Sequence, residues 1–450
     1  MQPTNPDRHA DLIVVGGGLA GLATATLLSR AGRSVTLLEM AGELGGRAST
    51  HIQQGARFNL GPHALYCRGR AFRLFQELGV PFTGRFPPAH RGLLIGGGTI
   101  GPLPLGIGSL IRSRFFTLRE KARFLALLAT LRWRESRHLD GVPLDDWIRE
   151  AAGTGNLAAF LRTLFRVSTY VDAGDRMSAG VALDQLNLAL EGNVWYLDGG
   201  WQTLVNGLRD RAVEHGAELR TGARVASVRG DAAGVAVRLV NGEELGGRAA
   251  VLAVGPKAAC DLLGLSPEAP LARWTAGCIP VRAACLDVAL KALPRPDRCV
   301  AFDLDRPLYF SVHSASARLA PEGISVLHAM KYLGVHAVSR PEAVRAELET
   351  YLEQVQPGWR DQTLTLRYLP GMTVAPSVPR ADEGGLAGRP GVAVPGCPRV
   401  FLAGDWVGPE GMLADASAAS AAAAARCVLE VLSTTTQPAA SEGRLAHVAR

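Results

Sequence analysis

The stretch from Asp11 to Thr50, DLIVVGGGLAGLATATLLSRAGRSVTLLEMAGELGGRAST, restricts the fold more than any other part of the chain. Asp11 to Val15 is a short apolar run with the character of a buried parallel strand. It runs into Gly16, Gly17 and Gly18, and Gly21 completes a G-x-G-x-x-G spacing. Gly16 permits the tight turn out of the strand, Gly18 lets a diphosphate approach the backbone, and Gly21 lets the next helix lie close to the sheet. That helix, Leu19 to about Arg30, aims its first N–H groups and the positive end of its dipole at the diphosphate. Gly32 ends it, and a second strand, Ser34 to Leu38, delivers Glu39, 18 residues beyond Gly21. A carboxylate there accepts both hydroxyls of an adenosine ribose and repels a 2'-phosphate. Glycine spacing alone is weak in a chain with 52 glycines; the strand, helix and acidic strand end around it make it specific.

Gly42, Gly45, Gly46 and Arg47 form a second glycine-rich turn, where an NAD-binding domain would begin its next helix. Gly45, Gly46, Arg47 and Thr50 match a G-G-R-x-x-[ST] element. In this the chain resembles the superfamily of flavin amine oxidases, protoporphyrinogen oxidase and phytoene desaturases, and the cofactor implied is FAD. Arg47 offers a fixed cation beside a diphosphate, and the paired glycines let backbone pack against an extended cofactor. Near the C-terminus a strand at Val400 to Ala403 ends in Gly404 and Asp405, before a long alanine-rich helix. This layout, FLAGDWVGPEGMLADASAAS, resembles the C-terminal flavin motif of phytoene-desaturase-like enzymes. The resemblance implies that Asp405 binds the ribityl-diphosphate region, that N–H groups at Gly411 and Met412 face the flavin pyrimidine, and that the main chain at Val225 holds the adenine. A helix N-terminus placed there stabilises the negative charge that gathers around N1 and the C2 oxygen when hydride reaches N5.

The resemblance implies an α/β fold: a Rossmann-like, glutathione-reductase-like FAD-binding domain with an inserted α+β substrate domain that bears a helical lid. The expected FAD-binding domain is discontinuous, over 1–75, 195–275 and 390–435. The substrate domain takes 76–194 and 276–389, and 436–450 is a loose tail. A chain of 450 residues, 47% hydrophobic and 20% charged, suits two such cores better than one. The net charge of +7 is mild, and no zinc finger, RNP-like run or long basic block points to nucleic acid. Seven scattered cysteines, never spaced C-x-x-C, read as reduced thiols of a cytoplasmic protein, with no metal expected. Met1 to Ala10 lacks the apolar core of a secretion signal.

Between the two cofactor elements the sequence speaks of a substrate chamber. Gly92 to Ile111 is twenty uncharged residues with seven glycines and two prolines, too interrupted for a membrane-spanning helix and expected to wrap an apolar cavity. Helical patterns at Thr117 to Trp133, Asp145 to Ala152, Leu157 to Val167 and Ser178 to Leu190 form the lid. From Arg112 to His138, eight Arg or Lys stand against two Glu, a basic face that is either simply solvated or suited to peripheral contact with anionic lipid. Strands at Cys278 to Leu290, Leu308 to His313, Ile324 to Tyr332 and Thr363 to Leu369, with a helix at Pro341 to Gln356, give the substrate domain a mostly antiparallel sheet.

Two residues are candidates for the reaction itself. His63, in GARFNLGPHAL, falls where the resembled family crosses beneath the isoalloxazine ring; its plainer reading is a turn cap. Lys331, in HAMKYLG, is the single lysine on an expected substrate-domain strand and so the candidate for the flavin-proximal lysine that amine oxidases carry; its plainer reading is a strand-end surface cation. The activity expected is FAD-dependent oxidation of a small lipophilic substrate, a polyene or isoprenoid. A flavin amine oxidase and a redox-neutral isomerase that needs reduced flavin are the alternatives. No second G-x-G-x-x-G opens a βαβ unit, so the electron acceptor stays open.

Overall fold

The structure, a computed structural model, describes residues 10–131, 136–335 and 340–434. The 436–450 tail, nearly all of Met1 to Ala10, and 132–135 of the basic run lie outside the described residues. In chain order the elements are β1 (Ala10–Val15), α1 (Leu19–Arg30), β2 (Val35–Leu38) and α2 (Arg70–Glu77). The hairpin β3 (Gly92–Gly96) and β4 (Thr99–Pro102) leads to helices α3 (Ile107–Arg112), α4 (Leu118–Leu131), α5 (Leu144–Ala152), α6 (Asn156–Thr169) and α7 (Ala179–Gly192). The chain returns through α8 (Gln202–Glu214), β5 (Glu218–Arg220), β6 (Val225–Gly230), β7 (Val235–Leu239) and β8 (Glu244–Leu252). Next come β9 (Val281–Leu290), β10 (Val300–Asp303), β11 (Leu308–Val312), β12 (Ser325–Leu333), α9 (Pro341–Val355) and β13 (Thr363–Ala375), and last β14 (Val400–Leu402) and α10 (Leu413–Thr434).

The first sheet runs β5-β2-β1-β8-β7-β6, with β14 also beside β8. Strands β5, β2, β1, β8 and β14 are parallel, and their runs such as LIVV and VTLL are buried, as parallel strands covered on both faces require. β8 is long enough to do two things: its first half pairs antiparallel with β7, and its second half pairs parallel with β1. Helices α1, α8 and α10 cover one face. The alanines of α10 let it lie close to α1, and Ala416, Ala421, Ala424, Val428 and Leu432 are fully buried. Among the described residues α10 is the one helix long and apolar enough to cross a bilayer, yet 61% of that window is buried inside the fold, as in a core helix. The carboxyl ends of β1, β2, β8 and β14 open onto one edge, the place where open α/β sheets bind ligands.

The second sheet runs β13-β9-β12-β11-β10-β3-β4 and is antiparallel except where β10 meets β3. Its outer face is covered by α9 through Val344, Leu348, Tyr351, Leu352 and Val355. Its inner face meets helices α4 to α7, whose Phe124, Trp147, Phe160 and Phe165 build a separate apolar cluster. Two expectations change here. Gly92 to Ile111 does not wrap the cavity; it is the edge hairpin β3-β4 followed by α3, and Gly97 and Gly98 (φ 55° and 73°) supply its turn. The strand at Thr363 continues through Leu369 to Ala375, because it pairs with β9 along nearly its whole length.

Candidate cofactor and substrate site

A cavity of about 960 Å³ begins at the carboxyl edge of the first sheet and extends to the inner face of the second. The three spaced glycines behave as their positions demand. Gly16 has φ 109°, and a Cβ there would lie 2.4 Å from Ala253 O. A Cβ on Gly21 would lie 1.9 Å from Gly16 O, so only glycine lets α1 sit this close to β1. A Cβ on Gly18 would meet nothing closer than Gly45 O at 3.9 Å, because Gly18 faces the open cavity at the head of α1. This is an unobstructed approach to a helix N-terminus, which fits a diphosphate.

Glu39 closes the nucleotide end. Its Oε2 accepts from Gly17 N at 2.6 Å and its Oε1 from Ala41 N at 2.8 Å, which fixes the carboxylate and leaves each oxygen a lone pair for a ribose hydroxyl. Val225 lines the cavity on the same side. The second glycine turn is stitched to the first, with Gly45 N donating to Gly17 O at 2.9 Å, and Gly46 also lines the cavity. Arg47 then reaches across to the C-terminal element: its Nη1 and Nη2 meet Asp405 Oδ2 and Oδ1 at 2.6 and 2.7 Å. Nη1 also donates to Val374 O at 2.7 Å, from the second sheet. Arg47 and Asp405, 358 residues apart, therefore form one bidentate unit in the cavity wall. Gly404 is held by Ser420, whose Oγ accepts from Gly404 N and donates to Gly404 O, both at 2.9 Å.

The two remaining positions of the C-terminal motif lie just before the cavity wall. Gly411 (φ 74°) and Met412 form the turn before α10. The Gly411 carbonyl accepts from Arg389 Nη1 at 2.8 Å, and Met412 packs into the apolar cluster of the lid. Burial pushes the Arg389 guanidinium down to about 10, against the pull of Asp405. The cavity wall itself is made one step later, by Leu413, Ala414, Asp415 and Ser417 of α10.

At the far end, His63 lines the cavity beside Pro62, Tyr66, Tyr170 and Met372. Its Nδ1 lies 3.1 Å from Gly61 O and its Nε2 3.1 Å from Arg47 O, with Trp201 edge-on at 4.9 Å. Neutral imidazole carries one N–H, so two carbonyl partners suit the protonated ring. Burial nevertheless pushes its pKa below 6.5, against those two hydrogen bonds. Lys331 does not belong to the site. It alternates out of the inner face of β12 and pairs with Glu347 of α9, on the opposite side of the sheet from the cavity.

Two features escaped the sequence reading. Asp415, 4% exposed, donates nothing to the motif, yet it lines the cavity and its Oδ1 accepts from Ala71 N at 2.8 Å, which caps α2. Burial pushes its carboxyl up to about 6. Behind His63 lies a row across three strands: His328 Nδ1 meets Asp287 Oδ1 at 2.6 Å, and Arg367 Nε donates to Asp287 Oδ2 at 3.0 Å. Arg367 Nη2 also reaches Asn59 O, so the row braces the turn that carries His63. Burial opposes the Asp287 charge, but His328 and Arg367 outweigh it and hold its carboxyl below the usual range. Cys285, Asp287 and His328 bring potential ligand atoms within 4.8 Å of one another, but both Asp287 oxygens are already committed inside the row. The available signal was an acid, an imidazole and a guanidinium at inward positions of LDVAL, LHAM and LRYL.

Parallel strands that end at a glycine-lined helix N-terminus and a fixed carboxylate, with the cavity continuing to a second sheet, suit an extended dinucleotide cofactor such as FAD. The family model for flavin containing amine oxidoreductases matches residues 19–429, and the chain belongs to that family. A Mycobacterium tuberculosis protein described as a candidate flavin-containing monoamine oxidase, AofH, is 32% identical over 173 residues, covering 37% of this chain and 38% of its own length. The 4,4'-diaponeurosporene oxygenase of Staphylococcus aureus is 27% identical over 248 residues, covering 48% of this chain and 50% of its own. The chain thus spans half or less of the length of these curated relatives. An oxidoreductase structure from Methanosarcina mazei superposes with a TM-score of 0.74 at 16% identity, over 92% of this chain and 99% of that one, a likeness of fold.

Proposed function

We propose that the protein oxidises a lipophilic substrate of the polyene or isoprenoid class. The observation that carries this reading is the division of the cavity. Glu39 at one end and the Arg47–Asp405 pair in the middle lie where the cofactor would be held, while His63 and Asp415 are the ionisable groups nearer the far end. The far end presents Leu60, Pro62, Leu65, Met372 and Leu413. The phenols there are turned to main chain: Tyr66 donates to Ser168 O at 2.7 Å and Tyr170 to Pro62 O at 2.8 Å. Such a wall rewards buried hydrocarbon, and the carboxyl beside it, Asp415, is pushed by burial toward its neutral form, which offers an ammonium less than a carboxylate would. The position of Lys331 outside the cavity weighs against an amine oxidase arrangement, and the diaponeurosporene oxygenase relative supports a polyene.

Bound FAD supplies the acceptor for two electrons. The chain's own groups do the rest. α1 and Glu39 hold the adenosine diphosphate half, the Arg47–Asp405 pair fixes the middle of the cavity, and the first turn of α10 sets a positive dipole end at its wall. His63 exchanges a proton at its ring nitrogens, and the lid helices exclude water. We place the reaction in the cytoplasm, consistent with seven unpaired cysteine thiols. The test is turnover of a panel of polyenes, fatty acyl chains and primary amines by the FAD-loaded protein. Polyenes are expected to react; rapid oxidation of short soluble amines with no response to polyenes would overturn the proposal.

A further inference from the structure

Twelve large hydrophobic residues stand exposed among the described residues, and six of them fall between positions 100 and 128. Leu105, Ile107, Ile111 and Leu118 are 54, 65, 60 and 85% exposed. Scattered apolar residues are ordinary on a surface, whereas a cluster in one short segment marks a contact surface. The segment is two-faced. α3 turns Leu110 into the core and shows Ile107 and Ile111, one helical turn apart, to the outside. α4 buries Phe124 and Leu127 and shows Leu118 and Leu128. The inward residues join the same apolar cluster as Tyr170, Met372 and Leu413 of the cavity wall. The outward face and the substrate chamber therefore flank a single apolar layer.

Within this segment the exposed charge has one sign. Arg112, Arg114, Arg119 and Arg123 are exposed, and Lys121 ties α4 to the end of α3 by donating to Ile111 O at 2.7 Å. The single acid between 100 and 128 is Glu120, and it is turned inward. Its carboxylate accepts from Thr117 N and Thr117 Oγ1 at 2.9 Å and from Leu157 N at 3.0 Å. We propose that Leu105 to Leu128 docks on an anionic lipid bilayer, with Leu105, Ile107, Ile111 and Leu118 entering the acyl boundary and the arginines meeting the headgroups. Aliphatic tips inside a cationic collar fit that partner. A second copy would set one basic collar against another, and protein interfaces favour aromatic anchors that this face lacks. The contact deepens the reading of a lipophilic substrate, on which its purpose rests, because it brings the lid of the chamber to the phase where such a substrate dissolves.

The experiment is flotation of the FAD-loaded protein with vesicles of phosphatidylcholine alone and of phosphatidylcholine with phosphatidylglycerol. Binding is expected to the anionic vesicles, to weaken with salt, and to fall about tenfold or more in Ile107→Asp/Leu118→Asp. Arg112→Glu/Arg114→Glu should lose the preference for phosphatidylglycerol. Bound flavin absorbance reports that each variant is folded, and Ile111→Ser is a milder second variant should the double one fold poorly. Wild-type protein that floats with neither vesicle, variants that float equally well, or a concentration-dependent dimer broken by Ile107→Asp would overturn the proposal. Turnover separates this from the substrate reading. Ile107→Asp/Leu118→Asp should still oxidise a detergent-dispersed polyene while losing the vesicle-borne one; vesicle binding with no polyene turnover in either form would sink the substrate reading alone.

Discussion

Replacing Asp415 by Asn is expected to stabilise the folded protein above about pH 6 and to change nothing below about pH 4. Asp415 lies 4% exposed in the first turn of α10, and burial pushes its carboxyl from 3.8 up to about 6. One oxygen caps α2 through Ala71 N, and the other, Oδ2, meets no hydrogen-bond donor among the described residues. A carboxyl whose pKa is raised by folding holds its proton more tightly in the native state than in the unfolded chain. Stability is therefore highest in acid and falls as the pH climbs from about 4 to about 6. At about 1.4 kcal/mol per pH unit, the cost above pH 6 is about 3 kcal/mol. Asn keeps an acceptor for Ala71 N and never ionises. Urea unfolding of wild-type and Asp415→Asn protein, at one fixed excess of FAD, should show a gap of about 3 kcal/mol at pH 8 that closes near pH 4. A variant no more stable than wild type at pH 8, or a gap that widens toward acid, would refute the reasoning.

Glu39→Arg should weaken FAD binding about ten- to hundredfold in a fluorescence titration of the apo-protein, since charge-assisted hydrogen bonds are worth about 1.5–3 kcal/mol; an unchanged affinity would show that Glu39 does not meet the ribose. Gly21→Ala places a Cβ 1.9 Å from Gly16 O, so the protein should be recovered colourless or insoluble, and a well-folded yellow variant would contradict the packing of α1. Lys331→Met should leave turnover unchanged and cost about 1 kcal/mol or less in urea unfolding; a collapse of kcat would return Lys331 to the site.

The parts read correctly from sequence are those whose cause is local. The strand, the glycine spacing and the helix from Leu19 to Arg30 are fixed by residues within thirty positions of one another, and the helix bounds match. Of the two readings of Lys331 the structure agrees with the plainer one, and its sequence holds the reason: His328 and Met330 alternate inward on β12, so Lys331 faces outward to Glu347. The twenty uncharged residues from Gly92 read as a chamber wall because composition alone does not tell a glycine-rich hairpin from a wrapping loop. Asp415 was hidden because its meaning comes from Ala71, 344 positions away. The Arg47–Asp405 pair joins two motifs that were each recognised, but only the closed fold makes them one unit.

Anaerobic rapid mixing of the FAD-loaded protein with a polyene is the most direct measurement of whether this chamber oxidises hydrocarbon. Stoichiometric bleaching of the visible flavin absorption by the polyene, and none by a primary amine of similar concentration, is the expected result. Flavin that stays oxidised with every polyene while a primary amine bleaches it would contradict the assignment, and turnover of a polyene without any net bleaching would leave an isomerase in its place.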